Sequence, residues 1–295
     1  VILRTQDFEK YQAYLERYEV ENSKIAFANL LAYEHFHGAK VYFEEEKMII
    51  LSTPSGKTPS IFPPLVPRTD LAGYLYAMKK YFRNEFNSPL FIRDCDEDFV
   101  ARVNCLGIDY ERIINRGQWE YIYRAEDIRN LSGRKLHKKK NRLNKFIGSH
   151  PSYYSRKIQK HDREKVLDFF DYWCKQKGCN RDDNLIFERE SIIKLFELMD
   201  FLPISGIVTF VDEKIRGFSL GSYLRKDTFV VFVEKADLSK KYEGLYVALR
   251  RDTAKIAAPD CTFINLQQDL DIPGIRKSKL SWKPAKILVC DTLKI

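Results

Sequence analysis

Apolar side chains return at Phe8, Tyr11 and Leu15 between Thr5 and Tyr18, and at Ile25, Leu30 and Tyr33 between Ser23 and Phe36. That is the spacing of one helical face, so the chain is expected to open with two helices, the second capped by Ser23 and ended by Gly38. The period then changes. A-K-V-Y-F-E-E-E-K-M-I-I-L-S predicts a hairpin turning at Glu44–Lys47, and P-S-I-F-P-P-L a third strand running into a proline-rich turn. Helical spacing resumes from Thr69 to Phe82 and from Asp96 to Leu106, with a short strand at Pro89–Ile92 between them. Gly107 ends the second of these helices, and I-D-Y-E-R-I-I-N and Q-W-E-Y-I-Y read as strands.

A similar order then recurs. A basic helix at Gly133–Gly148 is followed by the alternating strand P-S-Y-Y-S-R-K-I-Q, a helix from His161 to Lys177 broken by Gly178, and a helix from Glu188 to Met199. I-S-G-I-V-T-F-V, K-I-R-G-F-S-L-G-S-Y and T-F-V-V-F-V-E-K predict a three-strand meander turning at Asp212–Glu213. Next come a helix from Gly244 to Ala257, the strand T-F-I-N-L, a short helix near Pro273–Leu280 and a last strand A-K-I-L-V-C-D. The pattern predicts a mixed α/β chain of two units in tandem, residues 1–125 and 126–295.

The basic helix changes this picture from architecture to partners. Arg134, Lys135, Lys138, Lys139, Lys140, Arg142 and Lys145 lie between Gly133 and Gly148 with no acidic residue among them. Leu136, Leu143, Phe146 and Ile147 set an apolar stripe beneath them, Ser132 is placed to cap the start and Gly148 to close the end. Cations this dense repel one another, and a polyanion relieves that cost. The whole chain of 295 residues carries a formal charge of +9, which favours anionic partners without separating nucleic acid from lipid headgroups.

With 44% hydrophobic and 14% aromatic residues, the composition is ample for packed cores. No apolar run approaches the ~18 residues of a spanning helix, and the first residues lack a signal-peptide segment, so the expectation is a cytoplasmic protein without a transmembrane segment. The six cysteines have irregular gaps and no C-x-x-C pair, which favours buried thiols in a reducing compartment over a disulfide framework. The five histidines show no zinc-ligand spacing, so no metal site is expected.

Two other stretches bear on chemistry. The strand Thr228–Lys235 runs through Asp237, Lys240, Lys241 and Glu243 to Gly244 at a helix entrance, where free N–H groups and two lysines offer a place for an anion. Glu243 competes for that place as a first-turn carboxylate. Glu234 and Asp237 flank the loop and are candidate general bases; salt bridges to Lys235 or Lys240 are the structural alternative. Further on, Asn265, Gln267, Gln268 and Asp269 end a strand and precede Gly274 and a second basic cluster, Arg276, Lys277, Lys279 and Lys283, beside Trp282. Polar groups at a strand end before a tight turn suit the rim of a site, and equally a capped turn.

R-K-L-H-K-K-K-N-R-L-N-K-F and D-I-P-G-I-R-K-S-K-L-S-W-K-P, with W-E-Y-I-Y-R-A-E-D-I-R-N-L-S-G and V-E-K-A-D, resemble the carboxyl-terminal domain of lysyl-phosphatidylglycerol synthases, and more closely the soluble stand-alone proteins grouped with it. The resemblance covers mainly residues 118–295. It implies a tandem pair of GNAT-like acyltransferase domains, similar to the Fem-type aminoacyltransferases of cell-wall synthesis, with the site in the carboxyl-terminal domain. It implies transfer of an acyl group, often aminoacyl from charged tRNA, to an amine or hydroxyl acceptor. Direct attack without a covalent enzyme intermediate is expected, with a backbone N–H at an irregularity in strand Thr228–Lys235 stabilising the oxyanion and Glu234 or Asp237 removing the proton. Arg134, Lys138, Lys139, Arg142, Lys240, Lys241, Gly244, Asn265, Asp269, Arg276, Lys277 and Lys279 are the expected donor- or anion-binding residues. No tightly bound cofactor is implied; aminoacyl-tRNA or acyl-CoA is the co-substrate. The cationic helix would then face an acidic partner, tRNA being expected. The membrane-bound synthases carry a transmembrane portion without counterpart in these residues, which argues against a lipid acceptor and leaves anionic lipid as a peripheral contact. An acyl-CoA-dependent N-acyltransferase, a non-catalytic nucleic-acid-binding protein and a degenerate tandem domain are the alternatives.

Overall fold

The computed structural model describes residues 2–178 and 183–295. In chain order the first elements are α1 (Phe8–Arg17), α2 (Phe27–Ala32), α3 (Glu34–His37), β1 (Ala39–Glu44), β2 (Lys47–Ser52), β3 (Ser60–Ile61), α4 (Leu71–Phe86), β4 (Phe91–Cys95), α5 (Glu97–Cys105) and β5 (Glu111–Ile113). They continue with β6 (Glu120–Arg124), α6 (Ala125–Asn130), α7 (His137–Ser149), β7 (Tyr154–Lys157), α8 (Arg163–Lys177), α9 (Asp183–Leu198), β8 (Ile204–Val211), β9 (Lys214–Arg225) and β10 (Thr228–Ala236). The last are α10 (Leu245–Asp252), β11 (Phe263–Gln268), α11 (Pro273–Leu280), β12 (Lys286–Leu288) and β13 (Asp291–Lys294).

The first unit comprises residues 1–121, 268–278 and 287–295, the second residues 122–267 and 279–286. Chain order alone assigns all of 126–295 to the second domain. Two late stretches instead return to the first unit, one of them carrying β13, which lies between β4 and β5 in a six-stranded mixed sheet of order β1-β2-β3-β4-β13-β5. The other sheet has seven strands in the order β12-β6-β11-β10-β9-β8-β7, antiparallel from β7 to β10 and parallel between β10 and β11.

In the first unit, Leu75 and Phe82 of α4 and Phe99 and Val103 of α5 pack on Ile61, Ile92 and Leu293 of the sheet, and all of these are buried. Asp96 caps α5, accepting the Phe99 amide at 2.7 Å. The second expected helix is interrupted. Ser23–Ile25 forms a 3-10 turn capped by Asn22, and Ala26 turns extended (ψ 133°) before α2 begins. The cause is long-range: the carboxylate of the fully buried Glu120 accepts the amide of Ser23 at 2.9 Å and its hydroxyl at 2.7 Å, holding this turn away from α-helical geometry.

The basic helix begins one turn later than its apolar spacing suggests. Gly133 (φ 77°) introduces a 3-10 turn, Arg134–Leu136, and α7 follows. Gly148 lies inside the helix, which His150 closes instead. Its ring Nδ1 donates to the Phe146 carbonyl at 3.0 Å and its ring stacks on Phe146 at 4.7 Å. Leu136, Leu143 and Phe146 are buried as the stripe requires, while Ile147 lies at its exposed margin.

Gly244, expected to cradle an anion, is a point of close approach between two helices. It sits at φ 104°, and a Cβ there would meet the Arg142 carbonyl oxygen at 2.7 Å and Phe146 Cβ at 2.9 Å. Its missing side chain is the space through which α7 passes over the start of α10. Gly244→Ala is expected to destabilise the protein by about 1–3 kcal/mol, through backbone strain and displacement of α7. Urea unfolding checks it, and an unchanged midpoint removes this account of the glycine.

Candidate active site

In the second unit β10 pairs with β11 only over Thr228–Val230, opposite Phe263–Asn265. Both strands continue, β10 to Ala236 and β11 to Gln268, without further pairing to each other. Just where the pairing stops, β10 is irregular on its other edge. Val231 opposes Gly221 of β9 and Val233 opposes Leu220, leaving Phe232 as an extra residue, a β-bulge. Gly221 makes room beside it: a Cβ there would lie 2.1 Å from the Val230 carbonyl oxygen. A bulge increases local twist, and the strands part beyond it.

Side chains from α7, α10 and residues 279–282 gather beside this opening. Arg250 of α10 donates to Glu234 of β10 through Nε at 3.2 Å and through Nη2 as a second, shorter bond, and both side chains are about nine-tenths buried. The guanidinium lies over the buried Trp282 ring, 4.8 Å from its centre, and Lys139 Nζ lies 4.9 Å from the same ring. Lys139 also donates to the Ser281 hydroxyl at 2.7 Å. Burial first, then the charges of Arg250 and Arg142, push its ammonium down to about 8. Lys279 is buried and donates to the Leu266 carbonyl at 2.6 Å, on the first β11 residue beyond the paired stretch. Its own carbonyl accepts Tyr123 Oη at 2.9 Å. A carbonyl compound entering here would meet bulged backbone, the cations Lys139, Arg250 and Lys279 with one balancing carboxylate, and an indole face.

The other expected site residues divide into groups. Arg134, Lys138 and Arg142 of the α7 region are exposed, as are Lys240, Lys241 and Lys277. Lys139 differs because it falls between Leu136 and Leu143 on the apolar stripe. Asn265 is fully buried and its side-chain oxygen accepts the Gln267 amide at 2.8 Å, the geometry of a turn.

Asp237 is buried and closely engaged. Oδ1 accepts the Ser239 amide at 2.9 Å, the Ser239 hydroxyl at 2.6 Å and Gln176 Nε2 at 3.0 Å, while Oδ2 accepts Arg216 Nη1 at 3.1 Å. Burial alone would raise its pKa, but the bonds from Ser239 and Gln176 and the charge of Arg216 hold it below the usual carboxylate range. This carboxylate fastens the loop after β10. Arg250 was not anticipated; its only sequence signal is an Arg among the apolar positions of L-Y-V-A-L-R, and its partner lies sixteen residues away in another element.

Asp269 and Arg276 belong to the first unit. The fully buried Asp269 accepts Tyr121 Oη at 2.6 Å, Arg276 Nε at 2.7 Å and Nη2 at 2.9 Å, and the Asp271 amide at 2.9 Å. Against the upward push of burial, Arg276 and Tyr121 bring its pKa down to about 2. These two residues lock the turn after β11. Among the described residues, no group of His, Cys, Asp and Glu side chains is arranged to hold a metal ion. The five described cysteines are free thiols; Cys95, Cys261 and Cys290 are buried, and Cys179 lies outside the described residues. No helix among the described residues is long and apolar enough to cross a membrane.

The family model described as "Phosphatidylglycerol lysyltransferase, C-terminal" matches residues 15–289. The chain belongs to this family. A curated relative, the uncharacterized protein MYCGA3080 of Mycoplasmoides gallisepticum, is 27% identical over 180 residues, 60% of this chain and 56% of the relative, so the match spans about half of that protein's length. Among solved structures, a conserved protein of unknown function from Bacteroides thetaiotaomicron superposes with a TM-score of 0.92 at 24% identity, covering 99% of this chain and 98% of that one. L-PGS from Bacillus licheniformis gives 0.63 at 14% identity, covering 100% and 93%. FemX gives 0.67 at 9% identity, covering 100% and 96%. The mixed α/β architecture implied by the resemblance is therefore the fold of this chain, shared with L-PGS and FemX at little sequence identity.

The Asp269 network carries a pH signature. A carboxylate whose pKa is depressed on folding contributes stability that is fully present above its unfolded pKa of about 4 and lost as pH falls through about 2. Asp269→Asn is expected to lower the unfolding free energy at pH 7 by about 2 kcal/mol, with the difference shrinking in acid. Denaturation at pH 7 and pH 3 checks it; a pH-independent difference assigns the loss to packing.

Proposed function

We propose that this protein transfers an aminoacyl group from charged tRNA to an amine or hydroxyl acceptor, and that the transfer takes place where β10 parts from β11. The observation that carries this reading is the bulge at Phe232 beside the cluster of Lys139, Arg250 and Trp282. Family membership and the fold shared with L-PGS and FemX support the reaction class.

In the proposed step the acceptor's lone pair attacks the ester carbonyl carbon, and the carbonyl electrons move to oxygen. Backbone N–H at the bulge and the positive charges of Lys139 and Arg250 stabilise that oxyanion. The carbonyl then re-forms and the bond to the ribose oxygen breaks. The proton lost by the acceptor passes through Glu234 to the departing ribose oxygen, so no covalent enzyme intermediate is needed. Of the two carboxylates, Glu234 is assigned this role because it lies beside the opening and, among the described residues, both its oxygens accept from Arg250 alone, whereas Asp237 accepts from Ser239, Gln176 and Arg216 and fastens the loop after β10. The exposed Arg134, Lys138, Arg142, Lys240 and Lys241 supply contacts for tRNA phosphates. Aminoacyl-tRNA is favoured over acyl-CoA by the exposed cations of the α7 region, which suit a polyanion.

Binding, thermal-stability and transfer measurements test the reading. Binding of charged tRNA, followed by fluorescence anisotropy, should weaken steeply with salt. Replacing Arg134, Lys138 and Arg142 with Ser should reduce the slope of log affinity against log salt by about 0.9 for each phosphate that is no longer neutralised. Thermal stabilisation by acetyl-CoA, with none by tRNA, would change the donor. In a transfer assay Glu234→Gln should slow turnover about a hundredfold or more. Because Lys139 loses its charge near pH 8, the rate of the wild type relative to Lys139→Arg should decline above that pH; a constant ratio removes Lys139 from the step.

A further inference from the structure

The first unit contains a cavity that the proposed transfer does not use. It measures about 630 Å³, within the range of small-molecule sites, and lies between the β1–β2 hairpin and α4. Register explains its floor. Tyr42 pairs with Ile49, Lys40 with Leu51 and Glu44 with Lys47, so these side chains share one face of the hairpin. Opposite them, α4 presents Gly73, Tyr74, Ala77, Met78 and Tyr81, one stripe at helical spacing.

The space is open because two positions of that stripe are small. A Cβ on Gly73 would meet nothing within 4 Å, and its φ does not lie in the left-handed region, so neither packing nor backbone geometry requires glycine. A helical glycine costs up to about 1 kcal/mol relative to alanine. Ile49, Leu51 and Met78 make the floor apolar, and the rings of Tyr42, Tyr74 and Tyr81 form its sides.

Charge at one end is unbalanced. Lys47 pairs with Asp70 at 2.9 Å and lies over the Tyr74 ring at 5.2 Å. Glu44 accepts the Tyr74 hydroxyl but has no ion-pair partner among the described residues, which leaves two carboxylates against one ammonium at the cavity mouth. Aromatic faces beside an unpaired carboxylate favour a cation. We propose that this cavity binds a small organic amine, its apolar or aromatic body between the tyrosines and its ammonium group on Glu44.

The test uses the whole protein and three probes of one shape: 2-phenylethylamine, 2-phenylethanol and 3-phenylpropionate, titrated by calorimetry at pH 7. The amine should bind in the low-millimolar range or tighter, as suits a molecule of its size. It should be preferred to the alcohol by about fivefold, the worth of a solvent-exposed cation–aromatic contact, with the carboxylate weakest. Gly73→Leu, which fills the cavity at a position with room for a side chain, should abolish binding without lowering the melting temperature. Glu44→Gln should bring the amine level with the alcohol. Preference for 3-phenylpropionate, undiminished amine binding in Gly73→Leu, or no saturable binding of any probe would each overturn the proposal. None of these outcomes depends on the transfer reaction.

Discussion

The extra residue at Phe232 is the constraint to which the second unit is fitted. Inserting it lets β10 bend away from β11 after only three paired residues, and the sheet is left with an opening in its middle rather than at its margin. Backbone groups inside such an opening must find partners, since an unpaired buried carbonyl or amide is costly. The Lys279 ammonium takes the Leu266 carbonyl, and Tyr123 in turn holds the Lys279 carbonyl. The bulge therefore fixes the position of residues 279–282, although they lie far along the chain.

The same opening explains why a guanidinium is buried beside Glu234. Moving both charges out of water is expensive, and a buried pair gives little net stability over a well-packed apolar pair. Removing one partner is far more damaging, on the order of 3–5 kcal/mol, because the other remains buried and uncompensated. An ion pair kept on such terms is better understood through position than through stability: it holds a carboxylate and a cation rigidly at the end of the β10–β11 pairing. Trp282 assists by offering one indole to both Arg250 and Lys139.

Much of the fold was legible in the sequence because most elements follow local periodicity. The meander β8–β10, the turn at Asp212–Glu213 and the break at Gly178 all follow from spacing and turn residues. Deviations arise where a distant group overrides local preference. Glu120 reshapes the turn at Ser23, His150 replaces a glycine at the end of α7, and α7 occupies the space at Gly244. At the site, Lys139 was visible among the cations, and its position on the apolar stripe was the overlooked sign that it points inward. Arg250 and the engagement of Asp237 depend on pairings between separate elements, which periodicity does not encode.

The place of β13 has a consequence for how the chain is made. It lies between β4 and β5, antiparallel to both, so β5 and the edge of β4 away from β3 have no sheet partner until Asp291–Lys294 has left the ribosome. During synthesis β4 presents an unpaired edge while the entire second unit emerges and can fold. A nascent first unit is thus a sheet with a gap, exposed to other strands for as long as translation of the remaining residues takes. Its completion waits on residues made after the whole of the second unit, so the unit begun first is the one completed last.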